Sequence, residues 1–116
     1  MASAGYQDLF LEQGTTFTTQ MTLADNTGAP YNLTGFTVRS QARNSYYSSN
    51  VAINFTASVA NANSGIIQLS ANSATTANVS TMQKLVYDVI IIETGTQNVT
   101  RVLEGQIFVS PSVTRN

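Results

Sequence analysis

The side chains best suited to acid–base chemistry are 6 carboxylates, and two of them lie on segments that we expect to pair. The chain contains no His and no Cys, so the commonest general base and a thiolate nucleophile are both missing. Hydrolysis of a glycosidic bond would need two carboxylates that face one another across a cleft, and Asp88 and Glu104 are the candidates. No nucleophile, base or metal set accompanies them, so we predict that the protein is not an enzyme and has no catalytic residues.

A structural role is therefore the expectation for both carboxylates. Asp88 lies in a nearly apolar segment, where backbone donors or Arg101 should satisfy it, whereas Glu104 should face solvent. If Asp88 is buried and paired, its replacement by Ala should cost about 1–3 kcal/mol of folding free energy.

A metal site would need clustered oxygen ligands, because the chain lacks His and Cys. The run Asp25-Asn26-Thr27-Gly28 is similar to a calcium loop only in part, since it lacks alternating carboxylates and a distal bidentate Glu. A β-turn accounts for this run completely. We therefore expect no metal ion and no cofactor.

Two neighbouring tyrosines are candidates for contact with another protein. Tyr46 and Tyr47 lie in the polar segment 44–50, which predicts a loop, and Arg43 precedes them. Tyr offers a large contact area with few rotatable bonds. The alternative is that one ring packs against the end of the domain while the other lies flat on the surface. The predicted contact residues are Arg43, Tyr46, Tyr47, Tyr6 and Arg115.

The surface is unusually poor in charge. Only 9% of the residues are charged, against about 25% in an ordinary domain. Ser, Thr, Asn and Gln supply the polarity instead, and these side chains cost less to bury against a neighbour than ions do. The composition therefore favours an extensive contact surface over a neutral β surface that has no partner. It also predicts weak self-association or poor solubility near the pI of about 5.0.

Nucleic acid and membrane are both excluded as expected partners. A net charge of −1 leaves no basic stripe that could displace counterions from phosphates. Residues 1–7 lack the positive and apolar blocks of a secretion signal. The longest aliphatic run, residues 89–92, is far shorter than the roughly 20 residues that span a bilayer. We expect synthesis in the cytoplasm.

Apolar residues alternate along the chain with a period of two, which predicts half-buried antiparallel strands. The runs on one parity are Phe17, Met21 and Leu23; Phe36, Val38, Ser40 and Ala42; and Val51, Ile53, Phe55, Ala57 and Val59. Residues 85–92 are apolar on both parities, so they should form a central strand that is covered on both sides or nearly so. Residues 99–109 should complete a hairpin with it, and Gly105 suggests a bulge or a close backbone approach.

These segments predict an all-β fold, a β-sandwich of about seven short strands. Residues 73–82 could form one short helical turn, with Ser73 as its N-cap and Ala74, Ala77 and Met82 on one helical spacing. We expect a single domain over residues 1–116 with an N-terminal arm, 1–7. That arm is either a disordered tail or a strand donated to a neighbour.

Several strings along the chain resemble small immunoglobulin-like domains of tailed-phage virion proteins. They are residues 8–17 (DLFLEQGTTF), 31–43 (YNLTGFTVRSQAR), 86–89 (VYDV), 99–105 (VTRVLEG) and 109–115 (VSPSVTR). They occur in the family's order over nearly the whole chain, and they are most similar to structural proteins of T4-like cyanophages. Related domains lie at the N-termini of baseplate and tail-fibre proteins, where they would act as attachment modules.

The resemblance implies an immunoglobulin-like antiparallel β-sandwich that docks onto a phage particle by protein–protein contacts. The chain ends just after the domain, so a stand-alone tail or baseplate adaptor, or a capsid decoration protein, is the expected role. The expected partners are other virion proteins, such as a tail, baseplate or major capsid protein, together with self-association. The alternative is a carbohydrate-binding adhesion module on the virion surface, which would need exposed coplanar aromatic rings; Tyr46 and Tyr47 are the obvious pair.

Overall fold

Nine strands and one short helix make up the residues that the computed structural model describes, namely 5–25, 27–79, 84–111 and 113. The strands are β1 (Gly5–Tyr6), β2 (Leu9–Glu12), β3 (Phe17–Thr22), β4 (Phe36–Arg43), β5 (Ile53–Asn54), β6 (Thr56–Asn61), β7 (Ile66–Ala71), β8 (Leu85–Glu93) and β9 (Val99–Ser110), and the helix is α1 (Ser73–Ala77). Two sheets pack their apolar sides together around one core. The predicted all-β sandwich is therefore confirmed.

The strands form a six-stranded and a three-stranded sheet. The larger sheet has the order β1-β9-β8-β4-β5, with β2 also paired to β9, and the smaller has the order β3-β7-β6. The prediction of a wholly antiparallel sandwich is wrong at one place, because β1 and β2 run parallel to β9. Parallel neighbours need a long connection between them, and here the rest of the sandwich is that connection.

The N-terminal arm shows an arrangement that the sequence did not suggest. Residues 5–7 pair with the last strand of their own chain: the Gln7 N–H donates to the Glu104 carbonyl at 2.9 Å, and the Tyr87 hydroxyl donates to the Gln7 carbonyl at 2.5 Å. A Cβ on Gly105 would lie 2.0 Å from that same carbonyl oxygen. The close backbone approach predicted at Gly105 is thus confirmed, while the bulge lies nearby, opposite Val89 and Ile90. Residues 1–4 of the predicted arm lie outside the described residues.

The alternating run from Val51 to Val59 is not one strand. Ile53–Asn54 pairs with β4 in the larger sheet, whereas Thr56–Asn61 pairs with β7 in the smaller one. Phe55, buried between them, continues the inward parity, and Val51 is exposed. The alternation survives the change of sheet because both sheets face the same interior.

Strand β8 is central, as predicted, between β9 and β4. Its inner side chains are buried under the smaller sheet: Leu85, Tyr87, Val89 and Ile91. Its outer side chains are only half-buried: Val86, Asp88, Ile90 and Ile92. The expectation of cover on both sides is therefore met on one side only.

Helix α1 closes one end of the sandwich. Its N-cap is Asn72 rather than the predicted Ser73, because the Asn72 side chain accepts the Thr75 N–H at 2.8 Å. Ala74 and Ala77 are exposed, and the buried member is Thr76, whose hydroxyl donates to the Thr15 carbonyl at 2.7 Å. Met82, placed on the helical face by the sequence, lies outside the described residues.

Candidate contact surface on the six-stranded sheet

The charged side chains are concentrated on the outer face of the six-stranded sheet. Eight of the ten charged residues in the described ranges lie on this face or at its border: Asp8, Glu12, Arg39, Arg43, Lys84, Asp88, Arg101 and Glu104. The strands of the other sheet, β3, β6 and β7, contain no charged residue. The uncharged polar surface that the composition indicates is thus the outer face of the three-stranded sheet.

One row of side chains shows how charge is arranged across the six-stranded face. Val86 pairs with Arg43 on one side and with Gln106 on the other, and the Gln106 N–H donates to the Asp8 carboxylate at 3.3 Å. The row therefore has an acid at its β2 end and a base at its β4 end. We define the β2 margin as Tyr6, Asp8, Phe10 and Glu12, and the β4 margin as Arg39, Gln41, Arg43 and the loop of residues 44–50.

A groove of about 320 Å³ lies between these margins. Its outward-facing side chains are apolar, aromatic, uncharged polar and charged: Val86 and Ile90; Tyr46; Gln41 and Ser45; and Arg43, Asp88, Arg101 and Glu104. The groove thus places aliphatic surface beside several hydrogen-bonding groups, which suits recognition of a polar or protein ligand more than an apolar small molecule.

The structure brings three of the five predicted contact residues to this face. Tyr6 and Tyr46 keep 62% and 66% of their surface exposed, and Arg43 is half-buried beside them. Tyr47, in the same loop as Tyr46, is 98% exposed. Neither ring of the tyrosine pair is packed away, contrary to the alternative that one packs against the domain. Arg115 lies outside the described residues.

Arg43 has a local role as well. Its guanidinium donates to the Ser48 carbonyl at 3.0 Å and to the Gln41 side-chain oxygen at 3.1 Å. The first bond ties the end of β4 to the loop that carries Tyr46 and Tyr47. Arg43 therefore positions the tyrosine loop in addition to supplying charge at the β4 margin.

Tyr6 lies in the electrostatic field of the face. Partial loss of solvation raises the pKa of Tyr6, and the Asp8 carboxylate raises it further through a hydrogen bond and its charge. Tyr46 and Glu104 contribute in the same direction. Tyr6 is paired with Glu104, and Glu104 lines the groove together with Tyr46. Two tyrosines that are 40 positions apart in the sequence therefore belong to the same face.

The two candidate carboxylates are brought together, but Asp88 is engaged. Asp88 and Glu104 are directly opposite one another on β8 and β9, and both line the groove. Arg101 Nε lies 3.3 Å from Asp88 Oδ2, which confirms the predicted partner. The two side chains are 54% and 39% exposed, so the pair contributes about 0–1 kcal/mol. The condition for the larger cost of Asp88→Ala, a buried carboxylate, is therefore not met.

An aromatic cluster on the β2 side escaped the sequence analysis. Phe10 stacks on Phe108 with ring centroids 5.5 Å apart, and Lys84 Nζ lies 5.7 Å from the Phe108 centroid. Phe10 is 76% exposed. The sequence feature that could have predicted its exposure is the alternation in β2. Leu9 and Leu11 are both buried, so the side chain of Phe10 between them faces outwards.

The turn at Asp25 has the role that the sequence indicated. Its carboxylate accepts the Thr27 N–H and hydroxyl at 2.9 and 2.6 Å and the Ala29 N–H at 3.1 Å. These bonds, first among them the one from the Thr27 side chain, lower the pKa of Asp25.

In the described ranges, no three Asp or Glu side chains gather closely enough to hold a metal ion. Helix α1 has five residues, and no helix in the described part of the chain is long and apolar enough to cross a bilayer.

Comparison with known proteins gives no family for the chain. No family model matches its sequence, and no curated protein shows a significant match. The strand order and the chemistry of the exposed face therefore carry the functional inference.

Proposed function

We propose that this chain is a non-enzymatic structural protein of a tailed-phage particle, with the outer face of its six-stranded sheet as a protein contact surface. The observation that carries the proposal is the composition of that face. Half-buried aliphatic side chains lie at its centre beside the Asp88–Arg101 ion pair, and exposed aromatic rings lie together with charged residues on its two margins. Protein contact surfaces combine aliphatic area, exposed aromatic anchors and polar groups in this way.

The order of the strands supports the immunoglobulin-like assignment that the sequence resemblance implies. The order β3-β7-β6 corresponds to strands B-E-D of the immunoglobulin sandwich, and β9-β8-β4 corresponds to strands G-F-C. Three of the strings that resemble phage domains reach these strands: YNLTGFTVRSQAR ends on β4, VYDV lies on β8 and VTRVLEG lies on β9. The proposal of a virion role rests on this combination of strand order and sequence strings.

The exposed rings offer enough apolar area to anchor a contact. Fully burying a large aromatic side chain removes roughly 150–250 Å² from water, and a standard interface needs about 800 Å² from each partner. Tyr6, Phe10, Tyr46 and Tyr47 are each more than half exposed. Covering these four rings would therefore supply a large share of such an interface.

The first test is the location of the protein. Mass spectrometry on purified particles, with heads separated from tails, gives its copy number in each fraction. We propose a tail or baseplate adaptor, for which low copy number with the tails is expected. High copy number with the heads would assign it to capsid decoration instead, and absence from both fractions would refute the virion role.

The second test addresses the face itself. Replacing Tyr46 and Tyr47 together by Ser should lower incorporation into particles by roughly tenfold or more, because each exposed aromatic ring that anchors a contact contributes about 2 kcal/mol or more. The matched control replaces Thr18 and Gln20 by Ser on the neutral outer face of the other sheet. Equal incorporation of all three proteins would refute the choice of surface.

One observation favours a second candidate, a carbohydrate-binding module on the particle. The groove places the Tyr46 ring beside Gln41, Asp88 and Glu104, and sugars are bound by an aromatic surface together with such acceptors. Titration of the purified protein with host-surface oligosaccharides, followed by NMR, tests it. Shifts confined to groove residues and abolished in Tyr46→Ala would favour this role, and a spectrum unchanged at millimolar sugar would eliminate it.

A further inference from the structure

We infer that a second copy of this chain covers the outer face of the six-stranded sheet, related by a two-fold axis that runs parallel to β8 and β9. This inference rests on the proposed contact role of that face, and it names the partner. The dimer would then be the unit that joins the particle. The neutral outer face of the three-stranded sheet would remain free on both copies.

The first reason is that the outer side of strand β8 is only partly covered. Val86, Ile90 and Ile92 give the outer side of this central strand an aliphatic surface, and they are only half-buried. A strand that is apolar on both parities is typical of sheets covered on both faces. The smaller sheet covers the inner side, so the outer side is expected to receive its cover from another chain.

The second reason is the arrangement of charge, which complements itself. Asp8 and Arg43 lie at opposite ends of the row that passes through Gln106 and Val86. A two-fold axis parallel to the strands, through the middle of this row, lays the β2 margin of each copy over the β4 margin of the other. Asp8 of one copy then faces Arg43 of the other, and the contact occurs twice.

The same charges exclude the other simple geometry. An axis perpendicular to the strands would lay the β2 margin on itself and the β4 margin on itself. The acidic residues Asp8 and Glu12 of one copy would then lie against the acidic β2 margin of the other, and Arg39 and Arg43 would lie against its basic β4 margin. Opposed like charges disfavour association. The strand-parallel axis brings Glu104 of one copy towards Asp88 of the other at the centre of the face. Asp88 enters that contact already paired with Arg101 of its own chain, which offsets the repulsion between the two carboxylates.

The exposed aromatic rings lead independently to the same axis. Phe10 is on the β2 margin, and Tyr46 and Tyr47 are in the loop that extends the β4 margin. Phe10 is paired with Phe108 on β9, and the two rings form the row of side chains next to that of Asp8. This row lies towards the end of the sheet at which β4 ends and the tyrosine loop begins. The strand-parallel axis therefore lays the Phe10 and Phe108 stack of one copy towards the tyrosine loop of the other.

Charge reversal tests the axis on the purified full chain by analytical ultracentrifugation. Wild type is expected to dimerise. Asp8→Arg alone and Arg43→Asp alone should each weaken self-association by roughly tenfold or more, because each turns two attractive contacts per dimer into repulsive ones. An equimolar mixture of the two variants should restore the dimer. The matched control Thr18→Arg, on the neutral face, should leave it unchanged.

Cysteine cross-linking covers the case in which a reversal disturbs the local hydrogen bonds of Asp8 or Arg43. The natural chain contains no Cys, so introduced thiols report without background. Asp8→Cys mixed with Arg43→Cys should give a disulfide-linked heterodimer on mild oxidation, whereas each variant alone should give little. Preferential cross-linking of Asp8→Cys to itself would overturn the strand-parallel axis.

The outcomes separate this inference from the proposed function. A wild type that stays monomeric up to about 1 mM, where association would be worth only about 4 kcal/mol, overturns the dimer. A monomer that is still incorporated into particles refutes the dimer alone. A dimer that responds to charge as described, in a protein absent from particles, refutes the virion role alone.

Discussion

Gly105 should be indispensable because the N-terminal strand occupies the space where a side chain would begin. A Cβ at this position would lie 2.0 Å from the Gln7 carbonyl oxygen, 2.7 Å from its carbon and 3.1 Å from the Tyr87 ring. Both of the first two atoms are backbone, so Gly105→Ala must displace the arm rather than rotate a side chain. We expect residues 5–7 to separate from β9 in this variant.

The magnitude follows from the bonds that separation breaks. The Gln7 N–H loses the Glu104 carbonyl, at about 0.5–1.5 kcal/mol. The Tyr87 hydroxyl loses the Gln7 carbonyl, and leaving this buried hydroxyl unsatisfied costs about 1–3 kcal/mol. Ala reduces the conformational freedom of the unfolded chain, which offsets about 0.4–1 kcal/mol. The net loss is about 2 kcal/mol, which lowers Tm by roughly 5–10 °C.

Urea unfolding and calorimetry measure this loss against a matched control. Gly95→Ala changes a glycine whose Cβ would meet no atom within 4 Å, and it should alter stability by less than about 0.5 kcal/mol. In a chain lacking residues 1–7, Gly105→Ala should cost much less, because the obstructing carbonyl is gone and only the Tyr87 ring, 3.1 Å away, has to shift. A full-length Gly105→Ala protein as stable as wild type would refute the reasoning.

Three further predictions concern titration and charge. Burial raises the pKa of Tyr87, so the stability that its neutral form contributes is complete below about pH 10 and is lost as the pH rises above it; urea unfolding from pH 8 to 11 should show a flatter decline for Tyr87→Phe. The Thr27 hydrogen bonds lower the pKa of Asp25, so its turn should persist to about pH 4 and open only as the pH falls further; the Thr27 amide resonance reports this, and Asp25→Asn should remove the transition. Asp88→Ala and Arg101→Ala should each cost less than about 1 kcal/mol in urea unfolding, and a loss above about 2 kcal/mol would contradict the exposed ion pair.

Alternation predicted the core-facing side of most strands because it is a local property. Phe36, Val38, Ser40 and Ala42 all point inwards from β4, as the sequence indicated. A period of two fixes the face that each residue takes once the segment is extended. It says nothing about which strand lies next to it, so faces were predictable and neighbours were not.

The incorrect predictions concern strand pairing, which depends on contacts between distant parts of the chain. The Asp8 carboxylate and the Gln106 N–H are 98 positions apart, and nothing in the local pattern of residues 9–12 distinguishes pairing with β9 from an outer position on the other sheet. The change of sheet near Phe55 left no mark in the sequence, because the inward parity is the same before and after it.

The contact surface was predictable in its members but not in its assembly. Tyr46 and Tyr47 were recognisable from a polar loop next to Arg43, which depends only on neighbours in the sequence. The placement of Tyr6 beside Glu104 at the groove and the stack of Phe10 on Phe108 depend on how β1 and β2 align with β9. Long-range register therefore determined which exposed rings form one surface.

The close approach at Gly105 connects the stability of the fold to the chemistry of the face. Residues 5–12 supply the whole β2 margin, which contains the acidic residues Asp8 and Glu12. The Gln7 carbonyl, which fits against β9 because residue 105 has no side chain, lies between β1 and β2. If the arm separates from β9, Asp8 loses its bond from the Gln106 N–H, while Arg39 and Arg43 on β4 keep their positions. The basic residues of the β4 margin in one copy then have no fixed acidic residues of the β2 margin to face in the other copy. Gly105→Ala should therefore weaken self-association even at temperatures where it remains folded, whereas Gly95→Ala should not, and sedimentation at 10 °C distinguishes the two. Equal dimer affinities for both variants would mean that the acidic margin takes no part in the contact.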